Sequence, residues 1–152
     1  ISDTSRQSQV QVFDLDMSNS DGIWQQVGVT ILDEGRSADN GFGYNIDMNS
    51  EGTMLAIGTV NLACLGGSKW CSTGSIQLYR YNANMPPRFI FSRVPLRRIG
   101  DFGNTFHDAA NQDIRNTIFG WDVSLSGNGS TISIGSYDFE RGEAFFKVYN
   151  VE

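Results

Sequence analysis

Two stretches of this chain alternate apolar and polar residues strictly. Tyr44, Ile46 and Met48 are interleaved with Asn45, Asp47 and Asn49; Trp121, Val123 and Leu125 are interleaved with Asp122, Ser124 and Ser126. Alternation of this kind puts one set on each face of a pleated strand, whereas a helix would scatter both sets around its axis. Each stretch runs into a glycine-bearing tetrapeptide, Ser50-Glu51-Gly52-Thr53 or Gly127-Asn128-Gly129-Ser130. Glycine supplies the positive φ that a hairpin turn needs, and Asn-Gly is among the strongest short hairpin signals. The pattern predicts β-hairpins over residues 42–59 and 119–136. By the same alternation Trp121 shares a face with Val123 and Leu125, which makes it a core residue.

The two hairpins are copies. Residues 42–59 lie on residues 119–136 without a gap, 77 positions apart, matching at the Phe-Gly start, the alternating apolar positions, the turn glycine and the Ile-Gly end. We call the Phe-Gly strand A and the strand ending in Ile-Gly B. A third element, C, recurs three times, as Val10-Gln11-Val12-Phe13-Asp14-Leu15, Ile76-Gln77-Leu78-Tyr79-Arg80-Tyr81 and Phe146-Lys147-Val148-Tyr149-Asn150-Val151. A looser fourth element, D, has Trp24, Val27, Val29 and Ile31 in one copy and Phe91, Val94, Leu96 and Ile99 in the other. The order along the chain is C-D, A-B-C-D, A-B-C, or nine strands: a leading C-D unit over 8–31, one repeat over 42–99 and a partial repeat over 119–151. Element C is apolar or aromatic on both faces, with Ile76 and Leu78 on one and Tyr79 and Tyr81 on the other. Such a strand belongs in a small sheet covered on both sides by other sheets.

Phe-Gly, an alternating strand, a glycine turn, an Ile-Gly strand and a Gly-x-Ile-x-Leu-Tyr strand together resemble the FG-GAP-type repeats of β-propellers. The resemblance covers nearly the whole chain. It implies an all-β fold of antiparallel four-stranded blades, here about two blades plus one strand of a partial propeller. Gly58-Thr59-Val60 and Gly135-Ser136-Tyr137 stand where that family usually has Gly-Ala-Pro, and its Asp-x-Asp-x-Asp-Gly calcium loops between A and B are missing. A closed propeller needs more blades than this. The chain is therefore expected to be a segment of a longer propeller or to complete itself with other copies. Ile1 at the start and the lack of a leader peptide point to a processed or incomplete chain.

Composition adds bounds. Hydrophobic residues are 39% and charged residues 18%, a globular balance, and 17 glycines against 3 prolines suit many tight turns. A net charge of −6 argues against nucleic acid as the main partner, and the apolar runs are too short to insert in a membrane. Arg80, Arg88, Arg93, Arg97 and Arg98 form one basic stretch, read as a charged strand edge rather than a docking site for an acidic partner.

Candidate chemistry is sparse. Cys64 and Cys71, the only cysteines, sit in the B–C loop around Gly66-Gly67. A small-loop disulfide is the first expectation, with two unpaired thiols, or a redox or metal role, as alternatives. A disulfide would place the chain in an oxidising compartment, outside the cell or on its surface. Asn128-Gly129-Ser130 is an N-glycosylation sequon on a hairpin tip, although Asn-Gly is also what the turn wants. Asp14, Asp16 and Asp21 are the one weak calcium candidate; their loop lacks the closing bidentate acid, so no cofactor is expected. His107 beside Asp108 has no nucleophile or second carboxylate placed by any motif, and no phosphate loop, nucleophile elbow or zinc motif occurs.

These readings converge on a non-enzymatic structural module that acts by self-assembly or adhesion through protein or glycan contacts. Two alternatives accompany it. One is a scaffold domain of a larger glycan-processing enzyme, which would need paired carboxylates at the propeller opening. The other is a lectin-like module, which would need an aromatic platform near Trp24, Trp70 or Trp121.

Overall fold

The structure, a computed structural model, describes residues 8–18, 21–33, 40–61, 74–81, 91–93, 117–138 and 142–151. Among them there is no helix. Eleven strands occur: β1 (Gln9–Val10), β2 (Phe13–Asp16), β3 (Ile23–Gln26), β4 (Ile31–Leu32), β5 (Asn40–Met48), β6 (Met54–Asn61), β7 (Ser75–Tyr81), β8 (Phe91–Arg93), β9 (Thr117–Leu125), β10 (Thr131–Asp138) and β11 (Glu143–Asn150). All pairings are antiparallel and all sheets are open. A central sheet runs β5-β6-β7-β8, a trailing sheet runs β9-β10-β11, and a leading unit pairs β1 with β4 and β2 with β3.

Eleven strands rather than nine arise because the leading C and D elements each break in two. Val10 pairs with Ile31, but Phe13 pairs with Gln26, so the D side carries two more residues than the C side between these points. Gly28 takes up positive φ (75°) within that excess. Gln11 crosses the gap, donating from Nε2 to Gln26 Oε1 (3.2 Å) and Thr30 Oγ1 (3.1 Å).

The two hairpins form, and their turns are built alike. Gly52 N donates to Asn49 O and Gly129 N to Ser126 O, with both glycines at positive φ (68° and 71°). Asn49 Oδ1 accepts from the backbone N–H of Met54 (2.7 Å), and Ser126 Oγ accepts from that of Thr131 (2.9 Å). Asn49 is buried and also accepts from Thr53 N (2.9 Å), so its amide satisfies two amides that the turn would otherwise leave unpaired.

Phe-Gly proves to be a bulge signature. Phe42 pairs with Thr59 and the next pair is Asn45 with Gly58; Phe119 pairs with Ser136 and the next is Asp122 with Gly135. Two residues are therefore extra in each A strand, Gly43-Tyr44 and Gly120-Trp121. The glycine of each adopts a φ near +76° that a side-chain-bearing residue rarely takes.

Alternation along β6 then fills two cores. Met54 and Ala56 face the trailing sheet and pack, with Ile76 and Leu78 of β7, against Phe119, Val123, Ile132 and Ile134. Leu55 and Ile57 face the other way and pack, with Phe42 and Tyr79, against Val10 and Ile31 of the leading unit. Four consecutive residues, 54–57, are thus at most 4% exposed. Each fully buried aliphatic side chain stabilises this arrangement by about 1.5–3 kcal/mol.

Candidate functional site

The second copy of the repeat lies on the first with equivalent positions touching. Asn45 Nδ2 donates to Asp122 Oδ1 (2.8 Å), Ser50 Oγ donates to Gly127 O (2.8 Å), and both pairs are 77 residues apart. Tyr44 and Trp121, also 77 apart, face each other with ring centroids 5.6 Å apart and planes tilted by 48°. Asp47 Oδ2 accepts from Leu125 N (2.6 Å) and its Oδ1 from Met48 N (2.9 Å). Asp47 and Asp122 therefore tie β5 to β9.

Three glycines let the sheets come this close. A Cβ on Gly58 would stand 3.1 Å from Gly120 O, and one on Gly120 would stand 2.9 Å from Ile76 Cδ1. At Gly74 a Cβ would meet Thr59 O and Phe119 O at 2.2 Å each, far inside van der Waals contact. The leading junction repeats part of this geometry, with the Cβ position of Gly43 3.0 Å from Val10 Cγ2. Each Phe-Gly bulge thus seats on the first apolar residue of a C strand: Val10 under Gly43, Ile76 under Gly120.

Among the described residues, no Phe-Gly bulge sits on the third C strand. On β11, Phe146 is 73% exposed and Val148 57%, whereas their counterparts Ile76 and Leu78 are 3% and 1% exposed. Phe146 pairs with Gly135 and Val148 with Ser133, so these four residues share the outer face of the trailing sheet. A second bare face lies at the other end, where Phe13 and Leu15 of β2 share a side with Trp24 of β3. The A strand β5 also exposes Tyr44, Ile46 and Met48. Exposed aromatic and aliphatic side chains grouped on sheet faces mark interaction surfaces rather than ordinary surface scatter.

The other candidate residues separate into those placed and those outside the described residues. Cys64, Cys71, His107, Trp70, Arg88, Arg97 and Arg98 lie outside. Asp14 and Asp16 are neighbours-but-one on β2 and Asp21 follows it, but Asp16 is engaged locally. Its Oδ1 accepts from Ser18 N (2.8 Å) and its Oδ2 from Gln25 Nε2 (3.2 Å). The hydrogen bonds from Ser18 hold the Asp16 carboxyl below its ordinary value. Among the described residues, no group of three or more His, Cys, Asp or Glu side chains is arranged to hold a metal ion. Asn128 is exposed at its hairpin tip, and its Oδ1 accepts from Ser126 Oγ, Ser130 N and Ser130 Oγ. Its Nδ2, the atom a glycan would occupy, joins no hydrogen bond among the described residues. It borders a shallow cleft of about 340 Å³ whose lining also includes Met54, Arg80 and Tyr81.

Trp121 corrects the alternation reading. It is 39% exposed instead of belonging to the core, because it is the second residue of the Phe-Gly bulge and leaves the strand's face there. Trp24 is exposed as well, at 66%. No protein-family model matches this chain, and neither a curated protein nor a solved structure is significantly similar to it.

Proposed function

We propose that this chain is a non-enzymatic structural module, built from propeller-like FG-GAP-type repeats, that works by packing its sheets against other protein sheets. One observation carries this reading: β6 and β7 of the central sheet are buried on both faces, while equivalent apolar residues at the two ends are bare. Phe146, Val148, Phe13, Leu15 and Trp24 in water are costly unless something covers them. The partners are further repeats or other copies of the chain, and contacts of this kind serve self-assembly or adhesion.

Sedimentation of the purified chain over a hundredfold concentration range tests the proposal. Association that rises with concentration and is lost in a Phe146→Glu, Trp24→Glu variant is the expected result. A monodisperse monomer throughout would overturn it.

An extracellular setting belongs to the same reading and rests on the Cys64–Cys71 pair and the Asn128 sequon. A glycosidase-sensitive mass shift on the peptide containing Asn128 tests it.

A second reading, glycan contact, is favoured by the exposed Tyr44–Trp121 ring pair, since flat aromatic faces beside polar groups suit sugar rings. Quenching or enhancement of Trp121 fluorescence by a glycan panel, abolished in Tyr44→Ala, would support it.

A further inference from the structure

We infer that β11 is a pairing edge for a second copy of this chain. The two β11 strands join antiparallel about a two-fold axis at Phe145, with Glu143 of each copy opposite Lys147 of the other. This rests on the structural-module reading above and names the partner, the contact and its register: a strand edge rather than a sheet face.

The other C strands are occupied along this edge. β7 carries β8, with Tyr79 opposite Arg93 and Tyr81 opposite Phe91, and β2 carries β3. Among the described residues β11 pairs with β10 alone. Seven of its eight residues are exposed, Phe145, Phe146 and Val148 among them. An exposed apolar edge of this length is a template for pairing with another chain.

The ladder fixes which groups the edge offers. Val151 N donates to Ser130 O (2.7 Å), so the odd-numbered residues of β11 turn their amides toward β10. Ala144, Phe146, Val148 and Asn150 therefore turn theirs outward. A two-fold pairing through those groups shifts only in steps that keep even residues opposite even residues.

Charge then chooses among the registers. Centring the pair on Lys147 sets two lysines against each other, and centring it on Phe146 sets Lys147 against Phe145 and Glu143 against Tyr149. Centring it on Phe145 sets Glu143 against Lys147 twice. It also places the two Phe145 rings at a non-hydrogen-bonded site, where side chains come closest, and the large Phe146 opposite the small Ala144. The mid-strand lysine, a usual guard against edge pairing, thus admits a single register. Glu143 also lies opposite Asp138 across the β10–β11 ladder, so two acids meet where the second copy's cation arrives.

Sedimentation of purified variants, over the concentration range in which the parent chain associates, tests this. Glu143→Lys and Lys147→Glu each set like charges opposite and should weaken dimerisation about tenfold or more. An equimolar mixture of these two variants restores opposite charges at both sites and should dimerise as tightly as the parent, as should the double variant. Ala144→Pro removes an outward N–H without breaking the β10 ladder and keeps Phe146 and Val148 in place; it should abolish dimerisation. Circular dichroism checks that each variant keeps its strands, and the charge variants decide the question alone where the proline one does not fold.

Single charge variants that dimerise like the parent would overturn the inference, as would a mixture no tighter than either variant by itself. Association lost in Phe146→Glu yet retained in Ala144→Pro and both charge reversals overturns it and leaves the structural-module reading standing. A parent chain that stays monomeric overturns both.

Discussion

Strands β7 and β11 are the same element in two settings. Both follow an Ile-Gly strand, both pair with it antiparallel in the same register, and both carry one face of apolar side chains. Yet β7 carries a buried Ile76 and Leu78, and β11 an open Phe146 and Val148. The A strands make the same point from the other end. Val123 is 4% exposed, covered by the central sheet, whereas its counterpart Ile46 is 51% exposed. Exposure in this protein follows from how many neighbours a repeat has, not from its own residues. Burial is a property of the stack, as expected where each unit is stabilised mainly by its adjacent units.

The difference can be broken most violently at Gly74. Gly74→Ala should unfold the junction between central and trailing sheets, costing more than about 4 kcal/mol or abolishing the folded state, because the Cβ would lie within 2.2 Å of two backbone oxygens. Ala144→Gly, at the equivalent place on β11, should cost less than about 1 kcal/mol. Urea denaturation of the two variants measures both. Next in size, Leu78→Ala should destabilise by about 2–5 kcal/mol, while Val148→Ala should stay within about 0.5 kcal/mol in the monomer. Equal costs would mean that β11 is covered in solution.

Turn capping sharpens the comparison further. Asn49→Ala orphans one buried and one partly buried amide and should cost about 1–3 kcal/mol; Ser126→Ala, which frees one partly buried amide, should cost about 1 kcal/mol or less. The smallest effect is expected at Tyr149. Burial pushes its phenol above the ordinary value of 10.0, so the neutral ring is what the trailing sheet stabilises. Its contribution is constant below pH 10 and is lost as pH rises through the raised value. Alkaline titration of stability should therefore be flatter in Tyr149→Phe than in the parent chain.

Strand positions, both hairpin turns and the two-copy repeat were legible in the residues, since alternation and positive-φ glycines act over a few positions. The Phe-Gly bulge was not, and Trp121 shows why. Alternation counts residues along one strand, but a bulge is defined by what the partner strand lacks. The break of the leading C-D unit escaped for the same reason: two additional residues near Gly28 matter only against the shorter strand opposite. Of the candidate surfaces, the aromatic and aliphatic residues were visible in the sequence, while their exposure was not. Ile76 and Phe146 read alike until one is found beneath a bulge and the other exposed.

The amino-acid order by itself determined an all-β chain, where it turns, and that its units repeat, because these depend on backbone preferences and on side-chain period. Only the tertiary structure decided which copy of a given residue is core and which is surface. The apolar effect that drives burial has no direction along the chain; it rewards whatever area a neighbouring sheet happens to remove from water.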